Sequence, residues 1–324
     1  MPPTGAPELN IADLPVAADT AWLFPGQGAQ HVGMGRDLYD EIPAAQAIFD
    51  AADAALDVSL SSICFDGPED ELTRTINTQP ALVAHSLAAL AAALEAGTLT
   101  SRPAFMAGHS LGEYAALIVA DAIDFESGMR LVRERGRTMQ EACDATPGTM
   151  AAILGMEPGD LIPICEQHGA SLCNVNAPGN ITIGGTAEAV AAASEAASEA
   201  GASRVVPLEV AGAFHTPLMD SAREAMSAPL AGAPFADPTI PVVSNVTAAP
   251  MTAAAELAPE LTQQITSPVT WVDSVRTMLD AGVTNFIEFG PGRVLTGAMR
   301  RIERSATTRN VGTVADARGD EPED

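Results

Sequence analysis

The chain has 324 residues, and 47% of them are hydrophobic, which is enough to bury a sizeable core in one large domain or two smaller ones. Its 16 basic residues are all arginine and face 42 acidic residues, so the formal net charge is −26. This balance argues against a nucleic-acid-binding protein, because a polyanion is bound by a basic surface that the chain as a whole does not offer.

Several other classes are excluded by simple patterns. No segment reaches the length of about 20 apolar residues that a membrane-spanning helix needs. Met1–Thr20 lacks the basic start and apolar run of a secretory signal, so we expect a cytoplasmic protein without membrane contact. The four cysteines show neither a CxxC pair nor a metal-ligand spacing, so we expect reduced thiols and no metal site.

The complete absence of lysine has two explanations. A GC-rich coding bias replaces Lys with Arg, whereas adaptation to a salty cytoplasm favours an acidic surface whose self-repulsion is screened within about 3 Å at 1 M salt. We favour salt adaptation, and loss of activity in molar KCl would count against it.

The two ends of the chain differ in composition from the part between them. Residues 1–19 are rich in Pro and Ala, and residues 315–324 are acidic and polar, so both are predicted to be disordered. Thr20–Pro25 is predicted as a buried strand that leads into a glycine-rich turn. A second strand, Ala104–Ala107, leads into another such turn and then the helix Glu113–Ala120. This alternation predicts an α/β domain with a mainly parallel sheet.

The middle of the chain has a different order of elements. Strand, helix, strand, strand, helix and strand are predicted at Thr149–Leu154, Pro158–His168, Ser171–Asn176, Ile181–Gly184, Ala187–Ala200 and Ser203–Leu208. This β-α-β-β-α-β order is the signature of a ferredoxin-like unit. We therefore predict a small ferredoxin-like domain of residues 146–212, inserted into a large α/β-hydrolase-like domain of residues 20–145 and 213–314. The catalytic cleft is expected between the two domains.

The turn after the second strand carries a candidate nucleophile, Ser110. Its sequence, GHSLG at residues 108–112, fits the GxSxG nucleophile elbow, in which a serine lies on a tight turn from strand to helix. Glycines at both ends allow the backbone to turn sharply. The start of the following helix then favours a developing negative charge. Alone, this five-residue pattern is only moderately specific.

Six segments in one order make the pattern far more specific. They are FPGQGAQHVGMG at 24–35, TQPAL at 78–82, GHSLGEY at 108–114, RGRTMQEA at 135–142, GAFHTPLM at 212–219 and FGPGRVLTG at 289–297. Together they resemble the acyltransferase family of fatty acid and polyketide synthesis, which includes the malonyl-CoA:acyl-carrier-protein transacylases. The resemblance covers residues 20–305.

The resemblance implies a Ser-His pair. Ser110 would be the nucleophile and His215 the general base, since a serine hydroxyl needs a base within hydrogen-bond reach. In similar enzymes a main-chain carbonyl orients the histidine, so no acidic side chain is expected to complete a triad. The backbone N–H groups of Gln27 and Leu111 would form the oxyanion hole, where loss of one donor typically costs about 100- to 1,000-fold in rate.

The burial of Arg135 can be predicted from the periodicity of its helix alone. On a helix over Ser127–Cys143, three arginines share one face, Arg130, Arg133 and Arg137, whereas Arg135 falls on the apolar face. A guanidinium there keeps its charge and needs an anionic partner. For an isolated buried arginine, an internal ion pair is the usual arrangement. The resemblance instead implies that Arg135 binds the free carboxylate of a malonyl group.

Three further residues would line the acyl pocket. Phe214, directly before His215, resembles the AFH pattern of malonyl-using members, whereas methylmalonyl-specific domains tend to carry YASH. One methyl group is worth only about 1–3 kcal/mol in a pocket, so this preference need not be complete. Gln264 and Asn176 match pocket positions of the family, and ordinary loop hydrogen bonding is the alternative for both.

The implied reaction is a ping-pong transfer from malonyl-CoA, through an ester on Ser110, to the phosphopantetheine thiol of an acyl carrier protein. No metal or other cofactor is required beyond the coenzyme A thioester that is the substrate. Acyl carrier proteins are acidic, so docking needs a local basic patch. The two candidates are Arg130, Arg133 and Arg137, and Arg300, Arg301 and Arg304. A monomer is expected.

Three other functions remain open at this point. A discrete acyltransferase of a polyketide or polyunsaturated fatty acid synthase would use the same chemistry with another carrier protein. A serine hydrolase shares GxSxG, but it has no use for Arg135 and usually carries an acidic residue between serine and histidine. A non-catalytic malonyl-CoA-binding protein would leave the presence of both Ser110 and His215 unexplained.

Overall fold

The computed structural model describes residue 9 and residues 11–320. These residues form ten strands: β1 (Val16–Phe24), β2 (Arg102–Gly108), β3 (Thr149–Leu154), β4 (Ser171–Ala177), β5 (Asn180–Gly185), β6 (Arg204–Leu208), β7 (Val242–Val243), β8 (Pro250–Met251), β9 (Asn285–Phe289) and β10 (Thr307–Val311). They also form fourteen α-helices: α1 (Arg36–Glu41), α2 (Pro43–Leu56), α3 (Leu60–Asp66), α4 (Glu69–Thr73), α5 (Thr75–Glu95), α6 (Gly112–Val119), α7 (Phe125–Ala145), α8 (Pro158–His168), α9 (Ala187–Glu199), α10 (Asp220–Ala231), α11 (Ala254–Gln264), α12 (Trp271–Asp280), α13 (Val294–Ile302) and α14 (Val314–Arg318).

The larger sheet has the order β10-β9-β1-β2-β7-β8. Its pairs are parallel except β7 with β8, which confirms the predicted α/β fold with a mainly parallel sheet. Parallel strands end at the same edge of a sheet, and ligand sites of open α/β sheets lie at that carboxyl edge. Phe24 at the end of β1 pairs with Gly108 at the end of β2, so the PGQG and GHSLG turns start side by side.

A second sheet of four strands, in the order β4-β5-β3-β6, is antiparallel. Its strands and the helices α8 and α9 follow one another as β-α-β-β-α-β, and each agrees with its predicted range to within one or two residues. The buried faces of this sheet and of both helices form a separate hydrophobic cluster that includes Ile153, Leu161, Ile183 and Ala193.

The structure corrects the two predicted disordered ends. Strand β1 begins at Val16, four residues before the predicted start, because Val16 and Ala17 pair with the beginning of β2. The predicted acidic tail begins inside α14, where Thr313 and Asp316 form a capping box and Ala317 is fully buried. Sequence composition missed both because contacts with a neighbouring element decide them: backbone pairing with β2 for the exposed Val16, and burial for Ala317. Residues 1–8, 10 and 321–324 of the two predicted segments lie outside the described residues.

Two long helices bring side chains to the carboxyl edge. Helix α5 is apolar around most of its circumference and is buried from Asn77 to Ala93, as expected for a central helix. It packs against α7, which buries its own apolar face. Gln79 of α5 and Arg135 of α7 therefore meet inside the protein. Among the described helices, none is long and apolar enough to cross a membrane.

Candidate active site

Ser110 lies on the turn between β2 and α6 in a left-handed backbone conformation, with φ 54°. A Cβ on Gly108 would lie 1.9 Å from the carbonyl carbon of Gly112, and one on Gly112 would lie 2.2 Å from the main-chain oxygen of Phe24. Both contacts are with backbone atoms, which cannot move aside as a flexible side chain can. The two glycines are therefore required for the close approach of β1, β2 and α6 that presents Ser110.

The structure brings Ser110 and His215 together. The distance between Ser110 Oγ and His215 Nε2 is 2.8 Å. On the other side of the ring, Nδ1 lies 2.8 Å from the main-chain oxygen of Gln264 and 3.2 Å from that of Ser267. Carbonyl oxygens only accept, so Nδ1 carries the proton and Nε2 is free to accept the serine proton. Main-chain carbonyls thus orient the histidine.

Burial lowers the pKa of His215 to about 3, with the Arg135 charge as the next cause. The imidazole is therefore neutral at physiological pH, which is the state a general base needs before it takes a proton. His215 itself has φ 61°, a second left-handed residue at the centre of the site.

Arg135 is completely buried and contacts Ser110. One of its nitrogens donates to Gln79 Oε1 at 2.7 Å, and the other donates to Gln264 Oε1 at 2.8 Å and to Ser110 Oγ at 3.0 Å. Within the described residues it forms no ion pair, and its Nε has no hydrogen-bond partner. A buried cation held by neutral amides has unused capacity for a carboxylate beside Ser110.

The predicted division of α7 into two faces is confirmed. Arg130 is exposed and pairs with Glu126, and Arg137 pairs with Glu134 and Glu141. Arg135 alone of the four arginines on this helix is fully buried.

A cavity of about 150 Å³ opens beside Ser110 and His215. Gln27 and Phe214 also line it. Leu111 follows Ser110 directly, and its side chain is 1% exposed. The N–H groups of Gln27 and Leu111 have no acceptor among the described residues, and of these two residues Gln27 lines the cavity.

The structure places Asn176 differently from its predicted role in the acyl pocket. Its Oδ1 lies 3.0 Å from His109 Nε2, and its Nδ2 donates to Thr182 Oγ1 at 3.2 Å. Asn174 borders the cavity in its place, and His109 does so too. Asn176 therefore contacts a residue of the cavity wall, and burial lowers the pKa of that histidine.

Sequence reasoning missed three polar residues of the site: Gln79, Glu113 and Asn245. Gln79 and Glu113 lie within the quoted segments TQPAL and GHSLGEY, which was the available signal for both. Nothing in the sequence around Asn245 marked it. Its Oδ1 accepts from the N–H of Ser110 at 2.6 Å.

Glu113 is the one fully buried carboxyl next to these groups. Burial, and then the nearby Glu260, raise its pKa. The N–H of Asn245, the amide of Gln264 and the charge of Arg135 oppose this rise because each stabilises the carboxylate. The described residues contain no group of three or more His, Cys, Asp or Glu side chains that could hold a metal ion.

Comparison with known proteins agrees with this geometry. The acyl transferase domain family matches residues 21–320. The malonyl CoA-acyl carrier protein transacylase of Bacillus subtilis (strain 168) is 45% identical over 293 residues, 89% of this chain and 92% of that protein. An acyl carrier protein S-malonyltransferase from Vibrio cholerae O1 biovar eltor superposes with a TM-score of 0.89 at 38% identity, covering 94% of this chain and 100% of that one.

A third relative was solved together with a partner. It is a malonyl-transacylase in complex with its type II PKS acyl-carrier protein, with a TM-score of 0.88, 37% identity and coverage of 93% of this chain and 98% of that one. With a family match over nearly the whole described chain and a buried arginine beside a paired serine and histidine, this protein belongs to the acyl transferase domain family.

Proposed function

We propose that this protein transfers the malonyl group of malonyl-CoA to the phosphopantetheine thiol of an acyl carrier protein, for fatty acid biosynthesis. The observation that carries the proposal is the buried guanidinium of Arg135, 3.0 Å from the nucleophile Ser110 and without a carboxylate partner in the described chain. The free carboxylate of a malonyl ester on Ser110 supplies that partner. The names of the relatives from Bacillus subtilis and Vibrio cholerae support the same activity.

The first half-reaction forms an ester on Ser110. His215 Nε2 takes the hydroxyl proton while Oγ attacks the thioester carbonyl of malonyl-CoA. The negative charge that develops on the carbonyl oxygen is stabilised by the N–H groups of Gln27 and Leu111. When the tetrahedral intermediate collapses, the carbon–sulfur bond breaks and the imidazolium of His215 returns the proton to the departing coenzyme A sulfur.

The second half-reaction repeats these steps in reverse order. His215 takes the proton of the carrier-protein thiol, the sulfur attacks the ester carbonyl, and Ser110 leaves with the proton. The base, the two main-chain donors and the Arg135 cation supply the groups that each step needs. The proposed reaction therefore uses no metal or redox cofactor.

Helix α13 is the proposed docking surface for the carrier protein. On α7, Arg130 and Arg137 are already engaged by glutamates, so they offer little net positive charge to an acidic partner. Arg300, Arg301 and Arg304 of the second candidate patch form no ion pair within the described residues. Arg301 donates to the main-chain oxygen of Pro178 at 3.4 Å, which places α13 next to the turn between β4 and β5. Charge reversal there should weaken carrier-protein transfer while sparing acylation by malonyl-CoA.

The proposal also includes the fold class of the small domain and the oligomeric state of the protein. The order β6-β3-β5-β4 and the succession β-α-β-β-α-β support a ferredoxin-like domain over residues 146–212. The active form is proposed to be a monomer.

Intact-mass spectrometry tests the activity. Wild type and Ser110→Ala are incubated with malonyl-CoA, and acyl carrier protein is then added. We expect a malonyl adduct on wild type only, which disappears onto the carrier. An adduct lost to water at a comparable rate without carrier would identify a hydrolase, and the absence of any adduct would overturn the covalent mechanism.

The same assay separates two possible acceptors. The structural relative in complex with a type II PKS acyl-carrier protein favours a second candidate function, a discrete malonyl transferase for a polyketide synthase. A fatty acid carrier and a polyketide carrier are offered to the same malonylated enzyme. The carrier with the larger transfer rate constant identifies the partner.

A further inference from the structure

Glu113 is a buried ionisable residue that the reaction described above does not use. It lies in the first turn of α6, is completely buried, and does not line the cavity beside Ser110. One carboxyl oxygen accepts from the N–H of Asn245 at 3.0 Å, and the other accepts from Nε2 of Gln264. Both oxygens act as acceptors, so both donors stabilise the carboxylate form of Glu113 against the burial that disfavours it.

The contact with Gln264 decides which way this amide points. A side-chain amide has a donating end and an accepting end, and reversing it exchanges the two. In the structure the NH₂ end faces Glu113 and the main-chain oxygen of Ser110, and the oxygen end accepts from Arg135 at 2.8 Å. In the reversed amide, an oxygen would face the carboxylate and an NH₂ group would face the guanidinium. Glu113 therefore disfavours the orientation in which Arg135 loses an acceptor.

Through its contact with Asn245, Glu113 also helps to hold the backbone of the turn that carries Ser110. Glu113 accepts the N–H of Asn245, and the side chain of Asn245 accepts from Ser110 N–H at 2.6 Å and donates to Gly108 O at 2.6 Å. Gln264 donates to Ser110 O at 3.0 Å. Both peptide groups of the left-handed Ser110 are thus held by amides that contact Glu113.

Gln264 reaches the remaining catalytic group through its backbone. Its main-chain oxygen accepts from His215 Nδ1 at 2.8 Å, and its side chain contacts both Arg135 and Glu113. A shift of Gln264 would therefore move an acceptor of the base and an acceptor of the acyl-binding cation together. Glu113 touches neither His215 nor the substrate cavity, so its influence on the reaction passes through the two amides.

We propose that Glu113 is a positioning residue, which fixes the orientation of Gln264 and thereby sets the preference of Arg135 for an acyl group that carries a free carboxylate. This inference rests on the proposed malonyl transfer. The variant that tests it is Glu113→Gln, because glutamine keeps the volume but replaces one acceptor with a donor. Asn245 and Gln264 donate to different oxygens of Glu113, so in the variant one of these two donors faces an NH₂ group.

The readouts are kcat and KM for self-acylation from malonyl-CoA and from acetyl-CoA. For Glu113→Gln we expect the malonyl-to-acetyl ratio of kcat/KM to fall by about 10- to 100-fold, the worth of one hydrogen bond to a charged group. The matched control is Glu288→Gln. Glu288 is also a fully buried carboxylate with two N–H donors, from Leu295 and Thr296, but these lie in α13. This control should lose thermal stability without a change in the malonyl-to-acetyl ratio.

A double-mutant cycle separates positioning from general loss of structure. In a Gln264→Ala background, Glu113→Gln should change the ratio by less than about twofold, because Gln264 is the one of the two amides that contacts Arg135. Equal effects in both backgrounds would overturn the proposal, as would a folded Glu113→Gln with the wild-type ratio.

If Glu113→Gln does not fold, Glu113→Asp provides the same test. It keeps the charge but withdraws the carboxylate by one methylene, so the ratio should fall in the same direction. A wild-type ratio in that variant would refute the positioning role. Wild type that fails to self-acylate from malonyl-CoA would instead refute the proposed function.

Discussion

Replacing Arg135 with alanine removes the only buried cation beside the nucleophile in the described structure. The guanidinium makes three hydrogen bonds, at 2.7, 2.8 and 3.0 Å, to Gln79, Gln264 and Ser110. All three acceptors are neutral, and among the described residues no carboxylate lies within ion-pair distance of the guanidinium, although the charge of Glu113 acts on it from behind Gln264. The carboxylate of a malonyl group gains a charge-assisted hydrogen bond there, whereas an acetyl group has no carboxylate that could accept from the guanidinium.

The size of the effect follows from this burial. Removing one partner of a buried ion pair typically costs about 3–5 kcal/mol, because the remaining charge is left without compensation. At about 1.4 kcal/mol per factor of ten, kcat/KM for malonyl-CoA should fall roughly 100- to several thousandfold. For acetyl-CoA, the loss of an uncompensated neighbouring cation should leave kcat/KM unchanged or raise it.

The assay measures the acyl ester on Ser110 by intact mass, with malonyl-CoA and acetyl-CoA as paired substrates. Arg137→Ala is the matched control, since Arg137 lies two residues away on the outer face and pairs with Glu134 and Glu141. The control should keep both activities. Malonyl transfer that stays intact in Arg135→Ala, with acetyl transfer no better than in wild type, would refute the role of Arg135 in acyl selection.

Three further predictions concern pH and backbone geometry. Burial, and then the charge of Arg135, lower the pKa of His215 to about 3, so the acylation rate of Ser110 should stay level from about pH 8 to pH 5. A fall of this rate below about pH 6.5, the ordinary pKa of histidine, would contradict the prediction. Burial, and then His31, likewise lower the pKa of His85 to about 3. As pH falls from about 6.5 towards 3, only the unfolded chain binds that proton, so His85→Gln should gain about 1.4 kcal/mol in free energy of unfolding, relative to wild type, for each pH unit of the fall. Equal differences between the two proteins in urea at about pH 6 and at about pH 4, both inside this window, would count against it. A Cβ at Gly112 would lie 2.2 Å from the carbonyl oxygen of Phe24, so Gly112→Ala should destabilise the folded protein by about 1–3 kcal/mol and abolish acylation. The control Gly159→Ala should do neither, because a Cβ there would have no other atom within 4 Å. A wild-type melting temperature for Gly112→Ala would contradict the prediction.

Local sequence patterns were sufficient to predict those features that depend on a single helix, strand or turn. The helix over α7 places Arg135 among apolar side chains by its period alone, and the structure buries that arginine. The strands and helices from β3 to β6 were predicted to within one or two residues because each has its own period and is bounded by turn residues. The GHSLG turn identified Ser110 because the pattern is contiguous in the chain, and Gly108 is required within the turn itself, where a Cβ would meet the backbone of Gly112.

Local patterns failed where a distant segment decides the outcome. Val16–Asp19 has the composition of a loop, yet it forms strand because Val16 and Ala17 pair with the beginning of β2. Asn176 was predicted in the acyl pocket, but the fold turns it towards His109. A linear sequence does not record which segments will be neighbours across a sheet.

The sequence by itself predicted the buried arginine, the mainly parallel sheet and, through six ordered segments, the family, and it singled out Ser110 as the candidate nucleophile. The tertiary structure alone decided how these residues cooperate. Ser110, Arg135 and His215 come from three separate elements, and Gln264, 154 positions beyond Ser110, contacts all three. Glu113 in turn orients that glutamine. Hydrogen bonds depend on distance and direction in space, and the chain acquires both only when its strands and helices pack together.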